Sequence, residues 1–397
     1  MSEIKYNCVF GGGGIRGLCY IGAVKALQEF GINIESIAGS SVGAVFAALY
    51  AVGYSAQEIK ELFFDFNFNM FRDLNIGLFN NDISISKGEI FLDWMREKLE
   101  QKVFGTTDGT PVRFKDINRD LLIHALDINT NTPYIFSKLT TPDEEIAVAV
   151  RVSAGLPGLM KPINIGTATL VDGDLIKTRP SWKIYKNFNT SDKRILEFRL
   201  EGSRDGSDIK NPMDYLNSII STIWYLSTEE IYNDYNDNDR YDFVIIDTKD
   251  IILFDFTIDK LTREKLIENG YKQTVQYFSK TIINKKRKIL TIYEKIYKEI
   301  ENLNKFIIQK KTNLAMSLIN EILSEMYDNT KYIDISIYEK IKELKQYLFD
   351  NIKNDFVFCK IMNNHKQIKE RSEFVLMLIE ERIEDIKKYL KLYCNNC

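Results

Sequence analysis

Histidine is almost absent: the 397 residues contain two, His124 and His365. His124 lies inside the apolar run Leu121-Leu122-Ile123-His124-Ala125-Leu126, and His365 inside the polar stretch Asn363-Asn364-His365-Lys366-Gln367. Neither is a good base for a Ser–His–Asp triad, so nucleophilic chemistry here needs another proton acceptor. Cysteine is scarce and odd in number, with Cys8, Cys19, Cys359, Cys394 and Cys397 widely spread. That spacing is no disulfide framework and points to a reducing compartment. The terminal C-x-x-C, Cys394 to Cys397, has no second pair to complete a zinc site, and its middle residues are not aliphatic as a prenylation box requires. Charge of one sign is also lacking: the net charge is −3, which gives no global pull toward nucleic acid. No apolar run approaches the roughly 18–20 residues that span a bilayer. The longest, around Ala44–Tyr54, suits a buried helix, and Met1–Lys5 lacks the apolar core of a signal peptide. These absences lead us to expect a cytoplasmic chain with no nucleic-acid partner, in contact with membranes only peripherally.

The residues that are present fall into two regions. Up to about residue 255, short β-like runs alternate with helical patterns. Strands are expected at Tyr6–Phe10, Ile34–Ala38, Leu121–Asp127, Tyr134–Ser137, Thr167–Val171, Ile195–Leu200 and Asp242–Ile246. Helices are expected at Arg16–Phe30, Val42–Val52, Ser55–Phe66, Lys87–Lys102 and Pro212–Tyr235, with a loop at Asp237-Asn238-Asp239. Interleaving of this kind predicts an α/β layered fold with a mostly parallel sheet. From about Asp259 strand signals vanish, and no proline follows Pro212. Three stripes at helical spacing run Ile289–Ile307, Tyr338–Ile352 and Val375–Tyr393, predicting a small all-helical bundle.

The chemistry concentrates in glycine-bounded turns. In Gly39-Ser40-Ser41-Val42-Gly43, an apolar strand runs into a G-x-S-x-G turn and then the run Ala44–Leu49. This strand–turn–helix exposes a nucleophilic serine, although an ordinary turn with Ser41 as helix N-cap fits the same letters. Upstream, Gly12-Gly13-Gly14-Ile15-Arg16-Gly17 fits G-x-G-x-x-G. A dinucleotide site would want an acidic residue at the end of the second strand, and Glu35 precedes most of that strand. No Gly-Lys-Ser/Thr makes it a Walker loop. Gly12, Gly13 and Gly14 can instead offer backbone N–H groups to an oxyanion, with Arg16 adding charge or holding the loop. For the base, Asp172 is the best choice: it ends an apolar run and precedes Gly173, where desolvation raises a carboxyl pKa. An Asp-Gly turn is the plainer alternative.

Taken together, these residues resemble the patatin-like phospholipase family: Gly12–Gly17, then Gly39–Gly43, then Asp172-Gly173. Arg151–Pro162, Asp172–Pro180 and Leu266–Tyr271 resemble further segments of that family, and the likeness spans residues 6–282, leaving 283–397 as a helical region of unassigned role. Two departures are visible: the family usually has Gly or Ala where Asp174 stands, and often Asp or Ser where Gly11 stands. An extra carboxylate at 174 either raises the pKa of Asp172 or points into solvent. The resemblance implies a three-layer α/β/α fold, a Ser41–Asp172 dyad, no metal or other cofactor, and a phospholipid or other acyl-ester lipid as substrate. An idle hydrolase fold serving as a membrane scaffold is the rival reading. The aromatic segment Phe63, Phe64, Phe66, Phe68, Met70 and Phe71 offers an apolar groove or ordinary core, and Lys285-Lys286-Arg287-Lys288 offers headgroup contact or a solvated helix start.

Overall fold

Runs rich in β-branched and aromatic residues form β1 (Lys5–Phe10), β2 (Asn33–Ser40), β3 (Asp120–Asp127), β4 (Thr132–Ser137), β5 (Ile163–Ile165), β6 (Ala168–Asp172), β7 (Arg194–Glu201) and β8 (Tyr241–Asp247). The computed structural model describes residues 5–64, 86–175, 194–202, 209–210, 241–249, 251–253, 255, 257–329, 333–353 and 358–394, with isolated positions between 215 and 223. The helix expected at Pro212–Tyr235 falls almost wholly outside the described residues, as do the loop at 237–239, Phe66, Phe68, Met70, Phe71 and Cys397.

The strands form one sheet in the order β5-β6-β3-β2-β1-β7-β8, with β4 also paired to β3. The pairings of β1 with β2 and β7, of β2 with β3, and of β7 with β8 are parallel. Those of β3 with β4 and β6, and of β5 with β6, are antiparallel, so the sheet is mixed, with four of these seven pairings parallel and the antiparallel ones confined to the β3–β6 side. This arrangement brings the two motifs together. On β3, β4 fills one edge from Leu122 to Asp127, leaving β2 and β6 to share the other. There Ser40 pairs with His124 and Asp172 with Ala125, so the C-terminal ends of β2 and β6 meet head to head. Ser41 and Asp172 are neighbours because residues 124 and 125 are.

Helices α1 (Cys19–Glu29), α2 (Val42–Ala51), α3 (Ala56–Phe64), α4 (Glu89–Phe104), α5 (Ile146–Ser153) and α6 (Lys260–Gln276) accompany the sheet. Tyr20 of α1 packs between Phe10 of β1 and Phe46 of α2, with ring centroids 4.9 and 5.7 Å away. Alternation turns Val9 and Ala38 to the other face, where they are buried with Leu122, so both faces are covered as a layered α/β fold requires. Where α1 and α6 cross, a Cβ on Gly22 would lie 1.9 Å from the Ile267 carbonyl oxygen, and one on Gly270 would lie 2.0 Å from that of Cys19. Only glycine permits this approach.

The chain divides into two compact units: Met1–Asn236 with Arg240–Gln276, and Tyr277–Cys397 with Asp237–Asp239. The second contains α7 (Ile282–Ile308), α8 (Thr312–Asp328), α9 (Ile335–Lys353) and α10 (Phe358–Cys394). Its core is a column of aliphatic residues, Ile296, Ile300, Ile319, Ile341 and Ile379 among them, all fully buried. The basic run at 285–288 is not uniformly solvated: Lys286 is buried and only Arg287 and Lys288 are exposed. No described helix is long and apolar enough to cross a membrane.

Candidate active site

Ser41 stands between β2 and α2 with φ 52° and ψ −129°, a conformation that side chains other than glycine rarely adopt. The turn is this sharp because both flanking glycines are pressed on backbone. A Cβ on Gly39 would lie 2.4 Å from the Gly43 carbonyl oxygen, and one on Gly43 would lie 2.1 Å from that of Phe10. Two hydrogen bonds brace the strained turn from α5. The Ser41 N–H donates to Ser153 Oγ at 3.0 Å, and that hydroxyl donates to the His124 carbonyl at 2.6 Å. Ser41 is also the residue preceding α2, whose N-terminal N–H groups and dipole favour a developing negative charge beside it.

Asp172 ends β6 and is buried. Its strand is tied to the same α5 terminus: the Asp172 N–H donates to the Gly155 carbonyl at 3.0 Å and the Gly173 N–H to that of Ser153 at 3.3 Å. Burial raises the Asp172 pKa to about 7, against the opposing pull of the Asp174 backbone N–H and the Ser41 hydroxyl. The Asp174 N–H donates to Oδ1 at 2.8 Å, while Oδ2 is buried without an aligned donor among the described residues. The Ser41 hydroxyl thus acts on this carboxyl without forming a well-aligned hydrogen bond, which is common for a resting acid–base pair.

Asp174 does not point into solvent. It is buried, accepts from Ser40 Oγ at 2.6 Å and the Gly12 N–H at 2.9 Å, and pairs with Arg199 Nη1 at 3.2 Å. Its negative charge raises the Asp172 pKa, but as the smallest of the named influences. Arg199 in turn donates to Glu197 Oε1 at 2.6 Å. Burial opposes its charge, but the Glu197 and Asp174 carboxylates outweigh that and hold its pKa above normal.

The glycine loop follows β1. The Gly11 N–H donates to the Phe198 carbonyl at 3.1 Å, the Tyr20 hydroxyl to the Gly11 carbonyl at 2.8 Å, and the Ile15 N–H to that of Leu253 at 2.9 Å. Of the three expected donors, Gly12 must be struck out, since its N–H is taken by Asp174. Among the described residues the N–H groups of Gly13 and Gly14 have no partner. Arg16 fits the second of its two expected roles, holding the loop. Its Nε donates to the Ile251 carbonyl at 2.7 Å, so it fastens the segment after β8, with burial lowering its pKa to about 10. His124 is held neutral by burial, its pKa lowered to about 4, and is a weak base at neutral pH. Phe63 belongs to the core, its ring tilted against those of Phe46 and Trp94 with centroids 5.3 and 5.4 Å away. No cluster of metal-ligating side chains occurs among the described residues.

A strained serine on a strand-to-helix turn, close to a buried carboxyl, has the strand–turn–helix geometry of a nucleophile elbow in an α/β protein. The family model for patatin-like phospholipase matches residues 8–180. An uncharacterized protein, R571 of Acanthamoeba polyphaga mimivirus, is 30% identical over 301 residues, 71% of this chain and 96% of that one. A probable lipid hydrolase, 463L of Invertebrate iridescent virus 6, is 25% identical over 189 residues, 47% of this chain and 65% of its own length. Among solved structures, VipD from Legionella pneumophila shares the fold, with a TM-score of 0.50 at 14% identity over 86% of this chain and 88% of that one. The chain belongs to the patatin-like phospholipase family.

Proposed function

We propose that this protein is a lipid acyl hydrolase of phospholipase A or lysophospholipase type, working through a Ser41–Asp172 dyad and an acyl-enzyme. The observation that carries the reading is the pairing itself: a strained serine meets a buried carboxyl whose pKa of about 7 suits a general base. Asp172 takes the hydroxyl proton as Ser41 Oγ attacks the ester carbonyl carbon. The carbonyl oxygen becomes an oxyanion, held by the Gly13 and Gly14 N–H groups, each such donor being worth about 3–4 kcal/mol. The tetrahedral adduct collapses, the C–O bond to the alcohol breaks, and Asp172 returns the proton to the departing oxygen. Water then gives its proton to Asp172 and attacks the acyl-serine, and fatty acid leaves as the proton returns to Ser41.

Membership of the family and the likeness to a probable lipid hydrolase support an acyl-ester lipid as substrate. Peripheral contact with a lipid surface belongs to the same proposal. The test is fatty-acid release from mixed phospholipid vesicles and from triacylglycerol emulsions. The wild type is expected to release fatty acid from phospholipid, and Ser41→Ala and Asp172→Asn, both folded, to release none. Release retained by either variant overturns the dyad. A wild type that neither releases fatty acid nor labels at Ser41 with a fluorophosphonate overturns the enzyme reading in favour of an idle scaffold.

A further inference from the structure

The dyad and the loop of oxyanion donors come from chain segments far apart in sequence, and one carboxylate outside the dyad touches all of them. Asp174 Oδ2 accepts from Gly12 of the glycine loop, and Oδ1 accepts from Ser40, the residue before the nucleophile. Its own N–H donates to Asp172 Oδ1, and Arg199 of β7 reaches both of its oxygens at 3.2 and 3.4 Å. We infer that Asp174 is a positioning residue that locks the oxyanion loop, the nucleophile turn and the base into one geometry. The inference rests on the reading of Ser41 and Asp172 given above.

The chemistry of the contacts requires this side chain. Gly12, Ser40 and Arg199 all present hydrogens, and only an ionised carboxylate offers two oxygens that accept and never donate. An asparagine in either flip turns an NH2 group toward one of these donors. Space is equally specific: a Cβ on Gly12 would stand 2.6 Å from Asp174 Oδ2, so the loop sits directly against the carboxylate. Arg199 is itself buried and bridged to Glu197, which prevents the clamp from swinging outward. Gly11 lies against the same guanidinium, with a Cβ there meeting Arg199 Cδ and Nη1 at 2.9 Å. Once Gly12 is held, the next two N–H groups are ones without a partner among the described residues. A loop free to rotate at Gly12 would have to order those two donors anew in each transition state, which lowers kcat more than KM.

The experiment compares wild type, Asp174→Asn, Ser40→Ala and the double variant in three readouts: ester hydrolysis, the rate of Ser41 phosphonylation by a fluorophosphonate, and amide exchange of the peptide spanning residues 8–18. Asp174→Asn is expected to lower kcat and the phosphonylation rate about ten-fold or more, with KM changed by less than about two-fold. Ser40→Ala, which removes one donor and no charge, is expected to lower both rates about two- to five-fold and to add nothing in the double variant. Amide exchange at 8–18 is expected to rise in Asp174→Asn by more than its loss of global stability, read from exchange of the remaining core peptides, accounts for. Rates unchanged in both variants overturn the inference, as does an effect on KM alone or unchanged exchange at 8–18. Should Asp174→Asn fail to fold, full rates in Ser40→Ala overturn it. A wild type that neither hydrolyses esters nor labels at Ser41 removes the reading on which the inference rests, whereas an active wild type with indifferent variants removes the inference alone.

Discussion

Asp172 carries two opposed consequences of its burial. The folded protein holds its proton up to about pH 7, whereas the unfolded chain releases it near the ordinary value of 3.8. Between those values the folded state binds more protons, so this group makes stability fall as pH rises, with the full penalty present above about pH 7. The displacement corresponds to roughly 4 kcal/mol. Asp172→Asn is therefore expected to be inactive yet more stable than wild type at pH 8, with the difference vanishing toward pH 4, as read by denaturant unfolding at both pH values. Ser41 makes a parallel case. Its backbone conformation costs about 1–3 kcal/mol, so Ser41→Gly is expected to melt above Ser41→Ala, both lacking activity. An equal melting temperature would show that the turn carries no strain. Ser41, Asp172 and the glycine loop are legible in the sequence because each sits in a short motif with its own backbone demand. Ser153, Ser40 and Arg199 are not, because their roles come from strand register and from the docking of α5: nothing near Ser153 in the sequence signals that its hydroxyl reaches the Ser41 amide.

At the scale of elements, close approach and stripe packing decide what was readable. The crossing of α1 and α6 depends on Gly22 and Gly270, each against the partner helix's backbone. Gly22→Ala or Gly270→Ala, mild elsewhere in a helix, is expected here to destabilise by at least about 1–3 kcal/mol through overpacking, as measured by chemical unfolding. The expected strands overlap the observed ones, while β5, of three residues, is too short to leave a period. Helix α5 is missed because Ala147, Ala149 and Val150 give an almost uniformly apolar run without a polar face. Helix α8 escapes for a different reason. Its buried stripe of Ala315, Ile319, Ile322 and Met326 begins with alanine, and Leu314 and Leu318 beside it blur the face. The antiparallel arrival of β6 on β3 is equally hidden, since direction within a sheet leaves no mark on a strand's own letters.

For the whole molecule, the division into two units has a thermodynamic consequence. Each has its own buried core, so a large cavity in one is expected to act on that unit's unfolding. Ile319→Ala removes a fully buried side chain from the helical unit and is expected to cost about 2–5 kcal/mol there. Calorimetry is expected to show the helical unit's transition moving down while Ser41 phosphonylation at 25 °C stays at the wild-type rate. The change from alternating strands and helices to unbroken helix is legible because it is a change of period. What the helical unit does is not legible, since its stripes specify a core and leave its outer surface unconstrained.

The most direct test of the mechanism is the rate of Ser41 phosphonylation as a function of pH, with the labelled residue identified by mass spectrometry. A base with a pKa of about 7 predicts labelling at Ser41 alone, with a rate that rises through pH 7, levels off above pH 8, and is lost in Asp172→Asn at every pH. A rate independent of pH across that range, or one kept by Asp172→Asn, would contradict the assignment of Asp172 as the base.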